Sequence, residues 1–215
     1  MLIAQLIQNP LNILAILAAL VIGITIHEFS HAYVAYRCGD PTGKIEGRLT
    51  LNPLAHLDPL GTLFLFIAGF GWGKPVPVNP RYFRSRTDDI KVAFAGIIAN
   101  LSLAIILGLP LRYALMHGQV IDSSSFLQFL NIIVEVNILL AAFNLIPIPP
   151  LDGSHLIEHF LSEEARNTFQ SLGLYLLLAI VLMDRLMDTS IIFTVMEPIM
   201  RLFMFIAKGT YFFQF

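Results

Sequence analysis

The stretch PLNILAILAALVIGITIHEFSHAYVAYR, residues 10–37, decides how this chain is read. No Asp, Glu, Lys or Arg occurs before Glu28. Pro10 suits the first turn of a helix, where its missing N–H would have had no partner. The pattern predicts one helix running to Tyr36 or Arg37 and ended by Gly39-Asp40-Pro41. About 27 residues at ~1.5 Å each give roughly 40 Å, enough to cross a bilayer core with some tilt. Within that helix His27 and His31 stand four apart, so they share one face, one turn apart. Two neutral imidazoles at this spacing can reach one zinc ion. Glu28, between them, is placed to take a proton from water that the metal activates. Each ionisable side chain near the bilayer centre costs about 2.5–3.5 kcal/mol, and a bound metal offsets that cost for all three. The competing reading is a set of interfacial side chains snorkelling from the helix end. Arg37 lies only roughly 9 Å beyond His31 along the axis.

Composition agrees with a membrane protein. The 215 residues are 56% hydrophobic and 13% charged, with a mean hydropathy of +0.74; a soluble domain carries about 25% charged residues. A net charge of −2 gives no basic surface for nucleic acid. The single cysteine, Cys38, rules out a disulfide within the chain. The N-terminus lacks the basic region of a cleavable signal peptide, so the first span is expected to stay. With no internal repeat, one membrane-embedded domain is expected over residues 1–215. Its core would cover about 10–155, with accessory membrane helices at about 170–208.

Further along, residues 41–56 are polar and turn-rich. Leu57 to Phe70 is apolar but too short to span, so a re-entrant segment is expected. Trp72 to Pro80 (WGKPVPVNP) is extended, because Pro75 and Pro77 forbid a helix. Val92–Leu111 and Phe126–Ile146 are the second and third spans. Leu172–Met183 looks short for a span, and Arg201 interrupts Ile191–Ala207. Basic residues set the orientation. Arg37, Lys44, Arg48, Lys74, Arg81, Arg84, Arg86 and Lys91 lie between the first and second spans, and only Arg112 lies between the second and third. The richer region is therefore expected in the cytoplasm, and the third span returns Asp152 to the side that holds His27 and His31. A catalytic zinc usually takes three protein ligands. Asp152, in FNLIPIPPLDG, is the best third candidate, but spacing alone does not separate a ligand from a plain Asp-Gly turn.

HEFSH on an early span, with NLIPIPPLDG on a later one, resembles the site-2 protease family of intramembrane zinc metalloproteases. NPLAHLDPLGT and GWGKPVPVNP are similar to its small prokaryotic members without a PDZ domain. The resemblance covers roughly residues 20 to 155. It implies an all-α polytopic membrane protein with a three-helix catalytic core and a short re-entrant or strand-like insertion. It implies one Zn2+ per chain on His27, His31 and Asp152, with Glu28 as the catalytic base. It further implies that the enzyme sits in a prokaryotic cell membrane and cuts a membrane-spanning segment of another protein. One departure is Ile97, in AGIIAN, where many family members carry proline.

Other residues carry weaker signals. Asn144 can donate to a developing oxyanion or can pack between helices. Asn137 and Asn100 read as packing amides. Glu135 is a lone acid in an apolar run, by default a sign of function; roughly 25 Å from Asp152 if helical, it cannot serve the same zinc, and a place toward the outer interface is the alternative. His155 and His159 repeat the four-residue spacing but sit in a polar, interfacial segment. His56 and Asp58 open the re-entrant stretch, as a cap or as part of the approach to the site. Val76 and Val78 form the only edge of the proline strand that keeps backbone donors, so an extended substrate would pair there. The alternative is an edge blunted by prolines. A metal transporter is one rival, but such proteins usually show paired repeats; an inactive homologue acting as a binding scaffold is another, and it would have no need of the intact Glu28.

Overall fold

The computed structural model describes residues 10–68, 71–121, 124–187 and 190–209. The N-terminal region that bears on a signal peptide and the tip of the re-entrant stretch fall outside them. Helix α1 covers Pro10–Cys38. A short turn of helix, α2, follows at Thr42–Ile45. The apolar stretch after it forms α3, Pro59–Ala68. Then come α4, Asp88–Met116, and α5, Ser125–Asn144. A five-residue turn, α6 (Ser154–Glu158), leads to α7, Glu163–Leu186, and α8, Ile191–Lys208. Among the described residues four helices are long and apolar enough to cross a membrane: α1, α4, α5 and α7. The chain is an all-α, multi-pass membrane protein.

The expected spans are found, with two differences. The second is longer than its apolar run, because Asp88 and Asp89 supply the acidic first turn that a helix N-terminus favours. Leu172–Met183 is the apolar part of a 24-residue helix whose polar first turns begin at Glu163. At ~1.5 Å per residue that is roughly 36 Å, long enough to cross. Ser162 opens it by accepting from the Ala165 N–H at 3.4 Å.

Helices α1, α4 and α5 pack on one another as the expected three-helix core. In a bilayer the lipid is as apolar as the helices, so close packing of small residues must hold them together. The buried positions fit that need: Ala19, Gly23, Ala32 and Ala35 on α1, Ala93, Gly96, Ala104 and Gly108 on α4, Ala141 and Ala142 on α5. At Gly108 a methyl group would run into the Ala207 backbone of α8. Helix α8 is thus fitted into the bundle, with Met196, Met200, Met204 and Ala207 in the main apolar cluster. Its last buried residue, Lys208, reaches Glu135 at 2.8 Å and Asn131 at 2.7 Å on α5. Glu135 therefore lies inside the bundle as half of a buried ion pair, not toward an outer interface.

Up-down-up order brings the C-terminal end of α1, the N-terminal end of α4 and the C-terminal end of α5 to one face. The 39–87 connection folds back over that face. It contains no sheet among the described residues, only an antiparallel bridge between Leu57 and Gly73. Asp40, fully buried, accepts from the Asn79 N–H at 2.7 Å and from Thr42, which ties the proline strand to the end of α1. The guanidinium of Arg48 donates to the Lys74 carbonyl, and the Lys74 N–H donates to the His56 carbonyl.

Candidate active site

His27 lies eleven residues inside the end of α1, roughly 16 Å. It and His31 are buried and turned toward α4. Gly96 permits this: a methyl there would stand 2.5–2.6 Å from three atoms of the His27 ring. His27 Nδ1 is 2.7 Å from Asn100 Oδ1, and His31 Nδ1 is 2.7 Å from the Val92 carbonyl. A carbonyl only accepts, so His31 carries its proton on Nδ1 and turns the lone pair of Nε2 outward.

Asp152 arrives from the broken end of α5. Pro147, Pro149 and Pro150 cannot continue the helix. The Gly153 N–H returns to the Asn144 carbonyl at 2.7 Å, and a methyl on Gly153 would collide with the Leu145 carbonyl. This turn aims the carboxylate back at α1. Asp152 Oδ2 stands 3.0 Å from His27 Nε2 and 3.3 Å from His31 Nε2, and the two Nε2 atoms are 3.0 Å apart. Asp152 Oδ2 is buried without a hydrogen-bond partner.

Three ligand atoms on one point, two of them facing each other as acceptors, fit a cation between them. Two imidazoles and a carboxylate are a donor set that zinc takes, and ligands at ~2.1 Å in a tetrahedron stand about 3.4 Å from one another. The expected trio is thus brought together in space. His155 is not in it. Its ring faces Asp89 at 3.4 Å, and that contact, against the opposing effect of burial, raises its pKa. The His159 ring packs edge-on against Phe160.

A cavity of about 790 Å³ opens on the three ligands and on Glu28, with Asn144 and Val76 in its wall. Glu28 Oε2 accepts from the Val76 N–H at 3.0 Å. The donor expected on the strand's pairing edge is therefore already engaged with the carboxylate beside the metal ligands. Asn144 spends one amide proton on the Leu140 carbonyl of its own helix, at 3.0 Å. His56 is buried and pins its own loop through the Thr50 carbonyl at 2.8 Å. Asp58 caps the start of α3 through the Gly61 N–H at 2.7 Å. Asn100 is more than a packing amide, since it touches His27 of the candidate trio. Nothing in its spacing distinguishes it from Asn137, and a polar residue one turn after a buried glycine was the only available signal.

Fold and site together define a multi-pass membrane protein with a buried His-His-Asp cluster able to hold a metal ion and a carboxylate beside it. Comparison with known proteins agrees. The model of peptidase family M50 matches residues 110–183. The chain is 46% identical over 156 residues to the "Putative zinc metalloprotease YwhC" of Bacillus subtilis, covering 69% of this chain and 70% of that protein. It is 34% identical over 161 residues to "Putative zinc metalloprotease Rip2" of Mycolicibacterium smegmatis, covering 71% of this chain and 59% of the relative. Rip2 of Mycobacterium tuberculosis is equally similar, at 34% over 160 residues. No solved structure matches significantly. This chain belongs to peptidase family M50, the site-2 protease family of membrane metalloproteases.

Proposed function

We propose that this protein is an intramembrane zinc metalloprotease that hydrolyses peptide bonds within or near the transmembrane segments of other membrane proteins. The observation that carries the proposal is the convergence of His27, His31 and Asp152 on one point, inside a cavity walled by membrane helices. Zinc, one per chain, supplies Lewis acidity there when bound. Glu28 takes the proton from the attacking water and is held for that role by the Val76 N–H. Asn144, which lines the same cavity, has an amide proton to offer the oxyanion.

A substrate helix must be opened before it can be cut. The Val76–Val78 edge is the proposed seat for the extended segment. Seating it there exchanges the Val76–Glu28 bond for one to the substrate and frees the base at the moment it is needed. The excess of basic residues in the 37–91 region supports a cytoplasmic orientation for this end of the bundle, and the bacterial relatives support a prokaryotic cell membrane.

The test is metal analysis of the purified protein. About one zinc per chain is expected, and His27→Ala and His31→Ala should each lose most of it. Full zinc in both variants would contradict the site.

A further inference from the structure

Behind His27 lies a chain of buried amides that crosses all three core helices. Asn100 on α4 and Asn137 on α5 are both fully buried. Asn100 Nδ2 donates to the Gly23 carbonyl of α1 at 3.0 Å and to Asn137 Oδ1 at 2.8 Å. Asn137 Nδ2 donates to the Ile133 carbonyl at 2.8 Å. The direction of this chain is not free. Backbone carbonyls cannot donate, so the Ile133 carbonyl fixes which end of the Asn137 amide is nitrogen. Asn137 Oδ1 and the Gly23 carbonyl then fix Asn100. Its oxygen is left facing His27 Nδ1, which must hold the proton.

Gly23 keeps the path short. A methyl there would stand 3.2 Å from Asn137 Oδ1 and 2.6 Å from Leu140.

We infer that Asn100 is the positioning residue of the metal centre and that Asn137 sets its polarity. Together they hold His27 as the Nδ1–H tautomer with the lone pair of Nε2 toward the ligand point. A partner of this kind behind a metal-bound histidine typically contributes about 10–100-fold in metal affinity. The inference rests on the zinc reading above, and it deepens that reading by placing part of the metal affinity on two amides that touch no substrate.

The test is zinc affinity by chelator competition, with the visible spectrum of the cobalt(II)-substituted protein, on the full chain in detergent. Asn100→Leu removes the acceptor and should weaken zinc about 10–100-fold and shift the cobalt bands. Asn100→Asp, protonated on the oxygen that faces the Gly23 carbonyl and Asn137 Oδ1, keeps an acceptor for His27 Nδ1 and should hold zinc more tightly than Asn100→Leu. Asn137→Leu removes one of the two acceptors that orient the Asn100 amide, leaves the Gly23 carbonyl in place, and should weaken zinc measurably but less than Asn100→Leu. A role in packing alone reverses the order, because leucine suits an apolar bundle and a buried aspartate does not. If Asn100→Leu does not fold, the Asp variant and Asn137→Leu still decide. Unchanged zinc affinity and cobalt spectrum in Asn137→Leu, or an Asn100→Asp protein that folds without binding metal, would overturn the relay and leave the zinc site standing. A wild-type protein that binds neither zinc nor cobalt would overturn the site and the relay together.

Discussion

At the scale of single residues, the site separates by chemistry into ligands that converge and neighbours that do not. Asp152 Oδ2 has no hydrogen-bond partner and faces both imidazoles, whereas His155 is turned to Asp89 and His159 to Phe160. Asp152→Ala should therefore weaken zinc binding and abolish cleavage. Asp152→Asn should damage both, since a neutral amide is a poor substitute for an anionic ligand. The double variant His155→Ala with His159→Ala should keep its zinc. Metal analysis showing the reverse pattern would move the site into the later segment. His27, Glu28 and His31 were legible in the sequence because helical periodicity alone puts the two imidazoles on one face. Asp152 was legible only jointly, through topology and family resemblance. A turn of three prolines and one glycine sets its direction, and that is not a periodic signal. Asn100 was not legible. A buried amide in a membrane helix is ordinarily a packing device, and it takes the structure, with Gly96 letting α4 close on the His27 ring and Asn100 Oδ1 2.7 Å from its Nδ1, to show the contact.

At the scale of elements, the two helices after the core are unlike each other. Helix α7 shows most of its surface outward, including Leu174, Tyr175 and Leu178, while Leu177 turns inward and α8 is locked into the bundle. The lock is the Lys208–Glu135 pair, 2% and 0% exposed, near the middle of α5. Breaking a buried pair on one side typically costs about 3–5 kcal/mol, and replacing both partners restores much of it. Lys208→Met should therefore lower the thermal midpoint in detergent clearly, and Lys208→Met with Glu135→Met should recover part of the loss. Equal midpoints for wild type and Lys208→Met would show that the pair holds nothing. The sequence left Glu135 without a partner because Lys208 lies 73 residues away, and no local pattern links them. The long apolar runs were readable as spans by length. The start of α7 at Glu163 was hidden by its polar first turns, which extend the helix without adding to the apolar run.

At the scale of the whole molecule, topology brings the chemistry together. Three crossings deliver His27 and His31, Val92, and Asp152 to one end of the bundle, and the 39–87 connection closes over it. Residues 81–91 should accordingly face the cytoplasm and residues 117–125 the other side. Single cysteines introduced in a Cys38→Ser background and labelled from each side test this; cytoplasmic labelling of 117–125 would overturn the assignment. Cleavage of membrane-embedded peptides at this buried centre, with Glu28 as the base, can be tested in one experiment. Purified wild-type protein and the Glu28→Gln variant, both with zinc content measured, are incubated in lipid with a model transmembrane segment, and the products are mapped by mass spectrometry. Zinc is expected in both proteins, with a cut within or beside the segment by the wild type and none by the variant. Near-normal cleavage by the zinc-loaded Glu28→Gln protein would contradict Glu28 as the base.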